Sequence, residues 1–375
     1  MITYKYKLYK TENTKYLDKM LREASFVWNH SLALQKRYYS LYGKYVPKYQ
    51  IQKHFSKRIK PKFLHSQTVQ EIIDRLDTSY QRFFKKTSAR PPKFKRAKDF
   101  TSFVFKQGGY SLNGNVFTIN KIHKRFKFSY SRKYEGDIKR VIIKRSKSNE
   151  YYILLVSDNE SNKYGKSHNG ASVGIDFGLA TYLTLSDGTS FDNPQFFKEE
   201  LTKLKRKSRL LSKTRKRSNN REKRRLEVCR LHENIHNKRN DYQWKLAHNL
   251  CRKYDNIFIE DLSLTGMTKL WGRKMNDLAH GEFVSKLQYV ASKYDVNVHK
   301  IDRWFASSKT CGCGYVIKSL KLSDREWVCP ECGSINDRDL TAAENILRKG
   351  ISELWSGDKT VSAALHACTR ESPCL

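Results

Sequence analysis

Two short apolar runs in this chain each end on an acid, and that pattern constrains the fold more than any other. SVGIDFGLATYLTLSDGTS (residues 172–190) passes through Val173 and Ile175 to Asp176, while NIFIEDLSL (256–264) carries Ile257, Phe258 and Ile259 into Glu260 and Asp261. Runs of this kind read as strands. The first is expected to be a β-hairpin with Asp176 mid-strand, a turn at Gly178 and a return ending at Asp187-Gly188; the second brings Glu260 out at a strand's carboxyl end, where open α/β sheets place their chemistry. A carboxylate among buried aliphatic residues is costly unless a cation compensates it. A third acid, Asp339, precedes LTAAENIL, where Leu340, Ala343, Ile346 and Leu347 recur at helical steps, so it falls at or before a helix start. Its plainer use would be as an N-cap. Acids so far apart in sequence meet only if one sheet gathers them, and like charges that meet need cations. Two Mg²⁺ ions about 4 Å apart would hold such a cluster, one activating water and the other stabilising the leaving oxygen of a phosphodiester.

Composition names the polymer. The 375 residues hold 74 Lys plus Arg against 37 Asp plus Glu, a formal charge of +37, which draws phosphate-rich chains and makes binding strongly salt dependent. Residues 203–239 are read as two basic helices broken near Ser218-Asn219-Asn220, with 16 Lys or Arg against three Glu. A solvated hairpin is the bland reading; the imbalance points instead to phosphate contact, with Lys205, Arg206, Arg209, Arg224 and Arg225 as candidates and Lys309 as another farther on. A basic groove to hold a polyanion and a small acidic pocket to cut it together describe hydrolysis of nucleic acid. No stretch reaches the roughly 20 apolar residues of a membrane helix and the opening MITYKYKLYK has no apolar signal core, so a cytoplasmic protein, monomeric, without a membrane partner, is expected.

The length suggests two or three domains. Tyr4, Tyr6 and Leu8 alternate with Lys5 and Lys7 as in a half-buried strand. From Thr14 the period becomes helical through Leu17, Leu21, Ala24, Trp28 and Leu32, and again through Val69, Ile72, Ile73, Leu76, Tyr80 and Phe83. Arg90-Pro91-Pro92 ends this block, and the short runs SFVF, VFTI, RFKF, RVIIK and YYILLVS follow, separated by Gly109, Asn113-Gly114 and Gly136, as in a small barrel or sandwich. A polar linker, SDNESNKYGKSHNGAS (157–172), precedes the second half. The closing GDKTVSAALHACTRESPCL has no clear period and is expected to be disordered.

Of the eight cysteines, Cys311, Cys313, Cys329 and Cys332 form two close pairs with 15 residues between Cys313 and Cys329, the spacing of a four-thiolate zinc ribbon. Cys-Pro-Glu-Cys-Gly is an ordinary knuckle. Cys-Gly-Cys is one residue short, a tighter turn that Gly312 and Gly314 would permit.

Taken in order, GIDFGLATYLTLSDG, the basic hairpin, IFIEDLSLTGM, RWFASSKTCGCG and CPECGSINDRDLTAAENIL resemble the TnpB family of insertion sequences, compact RNA-guided DNA nucleases similar to type V CRISPR effectors. The resemblance is nearly full length. It implies a multidomain α+β chain: a β-barrel wedge (1–12 and 90–160) with an inserted helical recognition block (13–89), and a RuvC-like, RNase H-type nuclease domain (170–304 and 336–355) that carries the basic hairpin (196–250). A zinc-ribbon (305–335) and a tail (356–375) complete it. The catalytic, Mg²⁺-binding acids fall on Asp176, Glu260 and Asp339, the motif selecting Asp339 over Asp337, although Thr341 stands where the family usually has Asn. Implied partners are a guide RNA from the transposon's right end and double-stranded DNA bearing a short adjacent motif, with base pairing supplying specificity. His65, Ser66, Gln67 and Gln70 are candidates for touching DNA, against the plainer reading of helix-surface polarity. The alternatives are a guided binder that no longer cuts, a strand-transferring transposase and a zinc-ribbon regulator without catalysis.

Overall fold

The computed structural model describes residues 1–158, 164, 169–262, 272, 277–321 and 324–356. The expected tail lies outside them from 357 onward, as does most of the expected linker. Contacts divide the chain into two units, Met1–Ser161 and Asn162–Leu375.

In the first unit, β1 (Ile2–Lys7) buries Tyr4 and Tyr6 and leaves the intervening lysines exposed, because successive side chains of a strand point to opposite faces. Three helices follow, α1 (Thr14–Tyr42), α2 (Lys48–His54) and α3 (Ser66–Phe84). Leu17, Leu21, Ala24, Trp28 and Leu32 of α1 form one buried stripe against Val69, Ile72, Ile73 and Leu76 of α3. Gly43, at φ 64°, ends α1 by bonding its N–H to the Tyr39 carbonyl, a left-handed stop that costs glycine nothing. The chain then enters β2 (Ser102–Phe105), β3 (Tyr110–Asn113), β4 (Val116–Ile119), β5 (Lys124–Lys127), β6 (Ile138–Arg145) and β7 (Tyr151–Ser157). Their ladders give two antiparallel sheets, ordered β1-β7-β6-β2 and β3-β4-β5, joined by the Leu8–Phe128 bridge. Strand β3, whose Tyr-Ser-Leu-Asn is too short and polar to register as a run, is absent from the sequence reading.

The second unit is built on β8 (Ser172–Asp176), β9 (Thr181–Leu185), β10 (Ser190–Asp192), α4 (Phe196–Lys213), α5 (Asn219–Lys253), β11 (Asn256–Glu260), α6 (His280–Tyr294), β12 (Asn297–Ile301), the short strands β13 (Glu326–Val328) and β14 (Ile335–Asp337), and α7 (Arg338–Ser356). The main sheet runs β10-β9-β8-β11-β12; β8, β11 and β12 are parallel, and β9 and β10 turn back antiparallel. Asp176 is the last residue of β8 and not mid-strand as expected, because Phe177 and Gly178 leave the ladder before the return at Thr181.

Both faces of the parallel strands are covered. Val173, Ile175, Ile257 and Ile259 pack with Leu246 and Leu250 of α5 and with Phe283 and Leu287 of α6. The intervening Phe258 packs on the opposite face with Ile346, Leu347 and Ile351 of α7. There α7 comes very close: a Cβ built on Gly174 would stand 2.1 Å from the Ala343 carbonyl oxygen, and one on Gly350 would stand 2.0 Å from the Phe258 ring. Overpacking of this kind costs about 1–3 kcal/mol or more. Gly350→Ala is therefore expected to lower stability by at least that amount, read as a lower urea midpoint, whereas Gly114→Ala, with nothing within 4 Å of its Cβ, loses only what its φ of 56° imposes.

Candidate active site

Strand alternation and helix period together decide where the three acids go. Gly174 and Phe258 are register partners facing α7, as are Ile175 and Ile259 on the other side, so the next residues, Asp176 and Glu260, emerge side by side on the α7 face. On α7 the sheet-facing residues are Ala343, Leu347 and Gly350; one turn earlier the same face carries Asp339. Asp337, not Asp339, caps the helix, its Oδ1 accepting from the Leu340 N–H at 2.8 Å. That use of Asp337 leaves Asp339 in the first turn of α7, where the helix dipole favours negative charge.

Burial pushes the Asp176 carboxyl up to about 7, helped by the charges of Glu260 and then Asp339, and opposed by the Phe177 N–H and by Arg338. Glu260 is also raised by burial, with the Ser307 hydroxyl, hydrogen-bonded to its Oε1, pulling the other way. Asp339 is gripped by both oxygens: Arg325 Nη1 donates to Oδ1 at 3.1 Å and to Oδ2 at 2.8 Å. Asp261 is committed elsewhere, to Arg303 and to Lys300 at 3.4 Å, and its carboxyl is held below the usual range by them. Glu260 lines a cavity of about 230 Å³ with Phe177, His280, Gln288 and Lys300. Three carboxylates therefore share one field; among the described residues, the four cysteines are a set whose ligand atoms all lie within 4.8 Å of one another.

The cysteine cluster is compact despite its short first knuckle. Cys311 Sγ lies 3.7 Å from Cys332 Sγ, and Cys313 Sγ lies 3.6 Å from Cys329 Sγ. A zinc ion with Zn–S bonds of about 2.3 Å needs tetrahedral edges of about 3.8 Å. Gly314 makes the tight turn at φ 97°, its N–H bonded to the Cys311 carbonyl at 3.0 Å, while Gly333 takes φ 71° in the second knuckle. The Ser334 hydroxyl, 3.2 Å from both Cys311 and Cys332, is the leading cause of lowered thiol pKa values at each, to about 6 at Cys311.

The remaining candidates divide by what holds them. Lys205, Arg206 and Arg209 are exposed on α4. Arg225 is tied to Glu222 at 2.6 Å and Arg224 to Glu227 at 3.5 Å, within α5. Lys309 is half-buried in the turn before Cys311. In the first unit, Gln67 spends its carbonyl oxygen on the backbone N–H groups of Gln107 and Gly108, and Gln70 is exposed beside a cavity it shares with Gln52, Phe55 and Lys121. Ser307, Arg325 and Asn345 escaped the sequence reading: each works through a contact that only the folded chain creates.

Residues 156–270 match the family model OrfB_IS605, described as "Probable transposase", and 280–346 match "Cas12f1-like, TNB domain". A Streptomyces pristinaespiralis protein named "Putative RNA-guided DNA endonuclease" is 32% identical over 295 residues, which cover 77% of this chain and 73% of that protein. Escherichia coli K12 has a "Putative RNA-guided DNA endonuclease InsQ" that is 29% identical over 363 residues, 90% of this chain and 89% of that one. The cryo-EM structure of a Cas12f1–sgRNA–target DNA complex shares the fold, with a TM-score of 0.54 at 15% identity over 90% of this chain and 83% of that one. The class is thus the mixed α/β fold that this chain shares with Cas12f1. Within it, this chain belongs to the TnpB family.

The raised Asp176 carboxyl sets a pH dependence. Because the folded state holds this proton more tightly than the unfolded chain, the group's contribution to stability is present below about pH 4 and is lost as pH rises towards about 7, by up to about 4 kcal/mol. Subtracting the pH–stability curve of Asp176→Asn from that of the metal-free parent should isolate this fall, and Mg²⁺ at pH 8 should raise the parent's Tm more than the variant's.

Proposed function

We propose that this protein is an RNA-guided DNA endonuclease of an insertion sequence, in which Asp176, Glu260 and Asp339 hold the ions that support phosphodiester hydrolysis. The observation that carries this reading is the convergence of two strand ends and one helix turn on a single acidic spot in a chain of charge +37. Family membership supports it, since relatives carry the name of RNA-guided DNA endonuclease. Asp176, Glu260 and Asp339 would hold two Mg²⁺ ions, which would supply an activated water and stabilisation of the leaving oxygen. The chain's own part is to gather the acids, to offset part of the burial that favours their protonation through Arg338, the Phe177 N–H and Ser307, and to present basic surface to the phosphate backbone.

In this reading the second unit is an RNase H-like nuclease domain interrupted by a zinc ribbon, with Cys311, Cys313, Cys329 and Cys332 as the zinc ligands. The strands of the first unit form the wedge, and its helices the recognition block. Its partners are a guide RNA from the transposon end and duplex DNA with an adjacent motif, sequence being read by base pairing. Exposed Lys205, Arg206 and Arg209 serve phosphate contacts better than Arg224 and Arg225, whose charges already meet glutamates. The description "Probable transposase" favours a rival, DNA strand transfer; joined rather than merely cut product on a denaturing gel would select it.

RNA copurifying with the protein is expected to be a discrete transposon-end transcript. With that RNA the parent cuts matching DNA in Mg²⁺, and Asp176→Ala binds the same DNA without cutting it; undiminished cutting by the variant removes the site assignment. Elemental analysis should find one zinc per chain, lost on Cys329→Ser, and a zinc-free parent would refute the ribbon assignment.

A further inference from the structure

Glu260 is held from outside its own strand. The Ser307 hydroxyl donates to Glu260 Oε1, and Ser307 is 6% exposed, so water competes poorly for this bond. Ser307 opens a single 3-10 turn, Ser307–Lys309, closed by the Lys309 N–H to the Ala306 carbonyl at 3.1 Å and by the Thr310 hydroxyl to the same carbonyl at 2.8 Å. The turn is in turn fixed by Asn345 on α7. That side chain is 3% exposed and uses both amide hydrogens, donating to the Ser307 carbonyl at 2.8 Å and to the Thr310 carbonyl at 2.6 Å. Asn345 lies on the same helix as Asp339, less than two turns away. Cys311 follows Thr310 directly, with its N–H bonded to the Tyr315 carbonyl at 2.8 Å.

We propose that Ser307 is the positioning residue for the Glu260 carboxylate and that Asn345 sets Ser307, so that α7 places two of the three acids: Asp339 directly, and Glu260 through this relay. The inference rests on the nuclease reading above for its cleavage arm but not for its ion-binding arm. A glutamate at a strand end has three side-chain torsions to fix. Anchoring Oε1 to a buried hydroxyl selects one orientation and leaves Oε2 for an ion, the role that hydrogen bonds to metal-ligating carboxylates play generally. A serine serving only to satisfy its own hydroxyl could do so on the Ala306 or Phe305 carbonyl of its own turn. Its bond runs instead to a carboxylate 47 residues away in sequence.

The test uses the full chain with its copurified RNA. Mn²⁺ binding, followed by the electron paramagnetic resonance of the free ion, is measured for the parent, for Ser307→Ala, Ser307→Thr and Asn345→Ala, and for Glu260→Gln to subtract ions held by RNA. Removing such a hydrogen bond is expected to raise the Mn²⁺ concentration for half-saturation, and that for half-maximal cutting, about 10- to 100-fold, with DNA binding by gel shift unchanged. Ser307→Thr, which keeps the hydroxyl, should recover the parent's metal dependence. Asn345→Ala should reproduce the Ser307→Ala shift, and the double variant should be no worse than Ser307→Ala alone, since the two act along one path. Parent-like Mn²⁺ binding in Ser307→Ala overturns the proposal, as does a loss confined to a lower Tm that Ser307→Thr fails to relieve. A parent that binds Mn²⁺ normally but never cuts overturns the nuclease reading while leaving the Ser307 result intact.

Discussion

The close contact of α7 with the sheet is the constraint on which the second unit depends. An ordinary helix–sheet interface keeps the two backbones apart by the thickness of their side chains; here Gly174 lets the α7 backbone approach that of β8, and Gly350 lets it settle on the Phe258 ring. The helix is thereby pinned in translation and in rotation. Its rotation matters more: Asp339, Ala343 and Leu347 repeat at four-residue steps, so the face that packs on the sheet at Ala343 carries Asp339 to the strand ends one turn earlier. Because the side-chain period of a strand is two, the face that offers Gly174 and Phe258 to the helix offers Asp176 and Glu260 as its next members. Packing and chemistry are set by the same two periodicities.

The acids then bear an electrostatic cost that the rest of the unit distributes. Asp176 has two acidic neighbours and burial against it, and its raised pKa records that it is the least compensated member. Asp339 is matched by Arg325, and Glu260 by a hydroxyl rather than a cation. Asp261, one residue beyond Glu260, is fully engaged by Arg303 and Lys300, which withdraws a fourth carboxylate from the cluster. A net charge of +37 therefore does not flood the site; the lysines and arginines nearest it are spent on particular oxygens.

Local sequence made much of this legible. The alternation at Tyr4 and Tyr6, the helical stripe from Leu17 to Leu32, and the acids closing VGID and IFIE are periodic or terminal features, and these read directly because burial acts on every member of a period. Asp176 ends its strand where the sequence suggests a mid-strand place, because nothing in Asp-Phe-Gly says where the ladder stops. Strand β3 gave no signal, since four residues of mixed polarity have no period to measure. The plainer N-cap use that the sequence allows Asp339 falls instead to Asp337, and a single hydrogen bond to the Leu340 N–H shows it. Ser307, Arg325 and Asn345 lay beyond reach for a different reason: a hydroxyl, a guanidinium and an amide are common on any surface, and only tertiary contact gives them meaning.

That contact also explains why a small thiolate knuckle belongs beside the acids. The segment between β12 and α7 leaves the sheet through the Ser307 turn, which touches Glu260, and returns through β14, whose last residue caps α7. At the return, the Arg338 N–H bonds the Arg325 carbonyl at 2.7 Å, extending the β13–β14 pairing by one step and setting Arg325 where its side chain meets Asp339. Both ends of the insertion are thus anchored on acids of the cluster. Asn345 already holds the Ser307 end, whereas a flexible loop in place of the insertion would leave Arg325 unfixed, because ordering its backbone costs about 1–2 kcal/mol per residue. Four thiols within 4.8 Å of one another gather the two knuckles inside that insertion, and the Ser307 hydroxyl and the Arg325 guanidinium are the groups through which its two ends touch the acids.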